Sequence, residues 1–147
     1  MRIMGLDYGT KTIGVAISDP LCYTAQGIET IVRKDATNLI ESMRRLKELI
    51  DAYQVTEIVV GMPINMNNTE GERVQGTNYF VEKLRRDFGL VVSTFDERLS
   101  TMAANRILDE ANVQEHKRKA VIDKIAATII LQTYMDLKSN KEAKEAQ

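Results

Sequence analysis

Cysteine and histidine are all but missing from this 147-residue sequence, with Cys22 and His116 the single example of each. One cysteine makes no internal disulfide, so nothing argues for an oxidising compartment. The same scarcity excludes a zinc site built from the usual sulfur and imidazole ligands. Any metal would be held by oxygen, and catalysis would run on carboxylates, hydroxyls, lysine or arginine. Long apolar runs are missing too. Asp7 cuts short the N-terminal run, which fits no signal peptide, and Ile125 to Leu131 is broken by Thr128 and too short for a bilayer. The expected address is the cytoplasm, with no membrane partner. An excess of one charge is also lacking: 20 basic and 21 acidic residues leave a net charge of −1. A nucleic-acid partner would therefore be met by local basic patches. What remains, 44% hydrophobic and 28% charged residues, is the composition of one globular domain that buries a core unaided.

The patterning predicts an α/β domain. Met1 to Asp7 and Thr12 to Ser18 read as strands joined by a hairpin turn at Tyr8-Gly9-Thr10-Lys11. In the second strand Ile13, Val15 and Ile17 alternate with Gly14, Ala16 and Ser18, so one face is bulky and the other admits close approach. Gly27 to Val32 is a third strand. Leu39, Met43, Leu46 and Ile50 set a helical stripe over Thr37 to Ala52. Thr56 to Gly61 has the Ile58-Val59-Val60 run of a buried parallel strand. Thr69 and Glu72 have capping-box spacing for a helix ending at Gly89, and Leu90 to Phe95 is the next strand. Ser100 is the expected N-cap of a helix through Glu110, and Lys119 to Leu137 forms the last helix. Residues 1–137 make one domain, and 138–147 read as a polar tail that frays. The order β-β-β-α-β-α-β-α-α predicts a mixed sheet covered by helices on both faces.

Three acids stand out. Asp7 ends the first strand, and Glu97 follows the strand closed by Phe95 and Asp96, at the carboxyl ends where α/β sheets open their ligand crevices. Asp123 shares a helix face with Ala127 and Ile130, a costly place for a charge unless it has a partner. Each also has a plain reading, as a turn residue, a loop acid or a helix-surface ion pair. Brought together, the three would repel one another and raise at least one pKa, a conflict that Mg2+ or Mn2+ removes. The chemistry would then be phosphodiester hydrolysis.

Phosphate contacts are expected from several places. Gly5, Gly9 and Gly14 with Thr10 and Lys11 form a close-approach hairpin, and Arg98 could brace a scissile phosphate or pair with Asp7 or Asp96. Asn65 and Asn67 lie in a loop at another strand end. His116-Lys117-Arg118-Lys119 is the densest basic run, placed where a helix dipole disfavours cations.

Four blocks in order carry a family resemblance: Gly5-Leu6-Asp7-Tyr8-Gly9-Thr10-Lys11-Thr12-Ile13-Gly14-Val15-Ala16, Val60-Gly61-Met62-Pro63-Ile64-Asn65-Met66-Asn67, Asp96-Glu97-Arg98-Leu99-Ser100-Thr101, and Ile122-Asp123-Lys124-Ile125-Ala126-Ala127 with Ile130-Leu131-Gln132. They resemble the signature blocks of the YqgF (RuvX) family over Met1 to about Leu137. The resemblance implies a ribonuclease H-like fold, a five-stranded mixed sheet, and a metal-dependent nuclease that matures the 5′ end of pre-16S rRNA, working with ribosomal precursor particles. It implies Asp7, Glu97 and Asp123 as catalytic and metal-binding carboxylates. Two departures stand. Thr12 occupies a position where many members carry Arg, and the fourth strand ends in Gly61-Met62-Pro63 where the wider superfamily commonly has an acid, so Glu97 must serve from one strand later.

Rival readings keep the fold and change the task. One is a Holliday junction resolvase on four-way DNA junctions, whose symmetry would favour a dimer. Another is a non-catalytic RNA-binding module. A third follows the likeness of Asp7-Tyr8-Gly9-Thr10 to the phosphate hairpin of actin-like ATPases and sugar kinases, which need two such domains.

Overall fold

In the computed structural model, residues 1–35, 37–63 and 71–145 are described, and of residues 72, 119, 120 and 122–124 the backbone alone. Alternation of apolar residues produces the strands β1 (Arg2–Tyr8), β2 (Thr12–Ser18), β3 (Ala25–Val32), β4 (Val55–Met62) and β5 (Val91–Asp96). They form one sheet in the order β3-β2-β1-β4-β5. β2 runs antiparallel to β1 and β3, while β4 runs parallel to β1 and β5. The sheet is therefore mixed and five-stranded, as the pattern predicts.

Its two faces follow the period of two. Met4, Leu6, Ile58 and Val60 point to one side, where they join Leu46 and Ile50 of α1 (Ile40–Tyr53) and Phe80 and Leu84 of α2 (Glu72–Phe88). Ile3, Ala16, Val59 and Phe95 point to the other, against Ala127, Ile130 and Leu131 of α4 (Glu115–Glu145). Helices cover both faces. Small residues under α4 bring it close: a Cβ at Gly5 would stand 2.6 Å from the Leu131 Cβ, and one at Gly14 would stand 3.4 Å from the Ala127 Cβ. The close-approach face of the hairpin is thus filled by a helix. Gly5 and Gly14 do not form an oxyanion cradle, contrary to expectation.

Helix boundaries differ from the sequence reading for local reasons. Asp35 accepts hydrogen bonds from the Thr37 amide (2.9 Å) and hydroxyl (2.8 Å), so Thr37 stays in a turn and α1 starts at Ile40. The N-cap of α2 is Gly71, and Thr69 lies outside the described residues. The N-cap of α3 (Glu97–Glu110) is Asp96, four residues before Ser100, because the Asp96 carboxylate accepts from the Arg98 amide at 2.9 Å. Ser100 sits inside the helix, its hydroxyl donating to the Glu97 carbonyl at 2.9 Å. α4 continues through Glu145, so residues 138–145 are helical and not a frayed tail. Lys138 reaches back to the buried Glu57, whose carboxylate also accepts from the Tyr134 hydroxyl at 2.6 Å.

Candidate active site

Two sequence-distant acids meet at the carboxyl end of the sheet. Asp7 pairs with Gly14 across the β1–β2 hairpin, whose turn is closed by the Gly9 amide donating to the Thr12 carbonyl at 2.9 Å. On its other side the last parallel pair is Leu6 with Val60, so Gly61 of β4 comes next to Asp7. Glu97 opens α3 directly after β5, where Phe95 pairs with Gly61. A Cβ at Gly61 would stand 3.0 Å from the Glu97 Cγ and 3.2 Å from its Oε1. The bare backbone at Gly61 leaves the space through which Glu97 reaches over β4 towards Asp7. The departure noted in the fourth strand has a steric reason: the acid arrives from the next element, and the glycine makes room for it.

The electrostatics follow from that contact. Burial pushes the Glu97 carboxyl up to about 7, the charge of Asp7 and a hydrogen bond shared with it push in the same direction, and Asp96 adds to the effect. Arg73, in the first turn of α2, works against the shift. Two like charges in one pocket disfavour each other's ionisation, which is why the Asp7 charge holds the Glu97 carboxyl above the usual carboxylate range.

Around them lies a cavity of about 210 Å3, with Arg73, Ser100 and Thr101 on its polar side and Ala126 and Ile130 of α4 on its apolar side. The backbone of Asp123 belongs to α4, and its side chain lies outside the described residues. Among the described residues no three acids, histidines or cysteines cluster as metal ligands.

The expected phosphate contacts divide. Arg98 forms a fork with the Asp96 carboxylate, Nη2 to Oδ2 at 2.8 Å, which pulls that acid well below the usual carboxylate range. Its ion-pair reading is the one the structure shows. Arg118 is likewise engaged, with the Asp109 carboxylate at 2.6 Å and the Val113 carbonyl at 3.0 Å, where it ties α3 to α4. Lys11 and Lys117 are exposed. Asn65 and Asn67 lie outside the described residues, as does the side chain of Lys119. Gly9 lines a second groove beside the acids, with Tyr8, Thr10, Arg33 and Arg73. Sequence reasoning missed Arg73, Arg33, Thr101 and the cavity role of Ser100. Arg73 carried a usable signal, a cation in a first helical turn where the dipole disfavours it; Arg33 carried none.

Fold and site together define a class: a mixed α/β sheet of the RuvC type with a carboxylate pair at the carboxyl ends of β1 and β5. Thermus thermophilus RuvC bound to a Holliday junction superposes with a TM-score of 0.64 at 14% identity, covering 95% of this chain and 96% of that one. A second T. thermophilus RuvC structure gives 0.59 at 13% identity over 95% and 97% of the two chains. At such identities the likeness shows the ribonuclease H-like fold. The chain belongs to the RuvX family, whose model, described as a Holliday junction resolvase, matches residues 1–137. A protein of Agathobacter rectalis is 49% identical over 143 residues, 97% of this chain and all of that one. One from a Geobacillus species is 54% identical over 94% of this chain and 99% of its own length. Both are named pre-16S rRNA nuclease. Membership carries the reaction class: this chain is a hydrolase acting on phosphodiester bonds.

Proposed function

We propose that this protein is a divalent-metal-dependent nuclease that trims the 5′ end of pre-16S rRNA in the cytoplasm, on precursor ribosomal particles, with Asp7, Glu97 and Asp123 as its catalytic carboxylates. The observation that carries the proposal is Glu97 laid over Gly61 against Asp7. Such a pair is unfavourable in itself, and a pure RNA-binding module would gain nothing from negative charge set against phosphates. Its donors are all oxygen, the ligand type that hard cations such as Mg2+ and Mn2+ prefer. Spacing supports Asp123 as the third: it stands one helical turn before Ala127, whose Cβ packs over Gly14, the strand partner of Asp7.

When bound at these oxygens, the cation would activate a water and stabilise charge building on the phosphate. The protein's own groups do the rest. Asp7 and Glu97 would hold the cation through their carboxylate oxygens, Arg73 faces the incoming phosphate with opposite charge, and Ile130 walls the cavity on its apolar side. Relatives at about half identity point to RNA as the substrate. The family description keeps four-way DNA junctions as the second reading.

The test incubates the purified chain with RNA carrying the 5′ precursor end and, separately, with a synthetic four-way junction, each with Mn2+ or with EDTA. Cleavage of the RNA with Mn2+ alone, lost in Asp7→Asn, is expected. Equal cleavage in EDTA, or full activity of Asp7→Asn, overturns the proposal, and cleavage of the junction alone transfers it to the second reading.

A further inference from the structure

Next to the acid cavity, and separated from it by Arg73, is a groove of about 250 Å3 between the β1–β2 hairpin and α2. The carboxylate chemistry makes no use of it. Its floor is a tier of planar groups. The Phe80 and Tyr8 rings stack with centroids 4.2 Å apart and 13° between planes, and the Arg33 guanidinium carbon lies 4.7 Å from the Tyr8 centroid. Arg33 also donates from Nη1 to the Gly9 carbonyl, so its head group is pinned against the hairpin.

The wall facing this tier contains Gly76, inside α2. A glycine in a helix interior is unfavourable relative to alanine. Other glycines here have a local reason: Gly5 and Gly61 each sit under a side chain, and Gly89 ends α2 at a positive φ. At Gly76 a Cβ would meet nothing within 4 Å. Packing therefore gives no reason for it; its effect is to keep the groove open.

We propose that this groove seats one nucleotide of the single-stranded substrate, the neighbour of the nucleotide whose phosphate lies at Asp7 and Glu97. The base rests against the Arg33 guanidinium, and the phosphate between the two nucleotides passes Arg73, which lines both cavities. Guanidinium planes are good platforms for unstacked bases, and one already pinned loses little freedom on binding. Tyr8 and Phe80 support the platform from beneath. The groove thus sets the strand's position relative to the carboxylates, and favours a strand whose bases are free over a paired one. This rests on the nuclease reading for the direction of the strand, but its test does not require cleavage.

A fluorescein-labelled single-stranded RNA hexamer is titrated in EDTA against the full chain, followed by anisotropy. Gly76→Leu fills the groove, and Arg33→Lys keeps the charge but loses the plane. Binding at least tenfold weaker in Gly76→Leu and several-fold weaker in Arg33→Lys is expected, with Gly76→Ala melting no lower than the wild type. A hexamer containing 4-thiouridine should cross-link to the peptide bearing Tyr8 to Lys11 or to the one bearing Arg73 to Gly76. Unchanged affinity in a folded Gly76→Leu variant, or cross-links confined to other peptides, overturns the inference. The two failures are separable: a chain that binds here but cuts nothing refutes the nuclease reading alone, and one that cuts with these variants unimpaired in binding refutes the groove alone.

Discussion

Glu97 is the residue on which the site's pH behaviour turns. Its carboxyl titrates near 4.5 in an unfolded chain and is pushed up to about 7 in the folded one, by burial first and by Asp7 second. The folded state therefore favours the protonated form, so its contribution to stability is fully present below pH 4.5 and is lost as pH rises through about 7. In EDTA, the melting temperature of the wild type should fall across this window relative to that of Glu97→Gln. The difference should correspond to about 1–2 kcal/mol once solvent screening of a half-buried group is allowed for. Parallel curves for the two proteins would assign the effect to other acids. Position at the ligand-bearing end of an α/β sheet made both acids candidates, each with a plain reading beside it, and the family resemblance joined them into a set. Arg73 offered only the signal of a cation in a first helical turn, because its relation to Glu97 depends on how α2 lies across the sheet. Arg98 shows the opposite case: adjacency to Glu97 suggested a phosphate contact, and the carboxylate on Glu97's other side, Asp96, captured it.

Elements succeed or fail here through single small residues. Gly61→Ala places a methyl group 2.6 Å from the Ile130 Cδ1 and 3.0 Å from the Glu97 Cγ, so one of them must move. The expected cost is about 1–3 kcal/mol by denaturant unfolding, with cleavage reduced by at least about tenfold at temperatures where the variant is folded. Wild-type cleavage by that variant would mean that Glu97 does not need its path over β4. The far end of α4 makes a second prediction. Ending the chain after Ser139 should leave stability almost unchanged, whereas ending it after Leu137 removes the Lys138 ammonium from the buried Glu57 and should cost about 1–2 kcal/mol more. Urea unfolding of the two truncations compares them. The strands and their faces were readable from period-two alternation, and β2 matches its expected limits. Helix ends were less so, because two residues able to cap compete. Asp96 wins over Ser100 since β5 holds its pairing as far as Asp96, and the chain turns into α3 as soon as it leaves the sheet. The polar stretch after Leu137 looked unable to pack, yet α4 carries it onward once Tyr134 and Lys138 close on Glu57.

For the molecule as a whole, the balance of charge decides how it can hold a polyanion. A net charge of −1 supplies no general attraction, so binding must come from the few cations at the end of the sheet that carries the acids. Of the cations there, Arg73 lines the groove and Lys11 stands exposed at the hairpin turn, while Arg33 is held against the Gly9 carbonyl and the Tyr8 ring, and Arg98 and Arg118 are paired with Asp96 and Asp109. Each phosphate neutralised on a single strand contributes about −0.7 to the slope of log K against log salt. Two such contacts, at Arg73 and Lys11, predict a slope of about −1.4 for the RNA hexamer, far shallower than that of a protein covered in basic charge. Arg73→Gln should weaken binding at every salt concentration and make the slope shallower by about 0.7, because one contact of the same kind has gone. A slope beyond about −4, unaltered by that substitution, would mean that the strand lies elsewhere, with the basic start of α4 around Lys117 the first place to look.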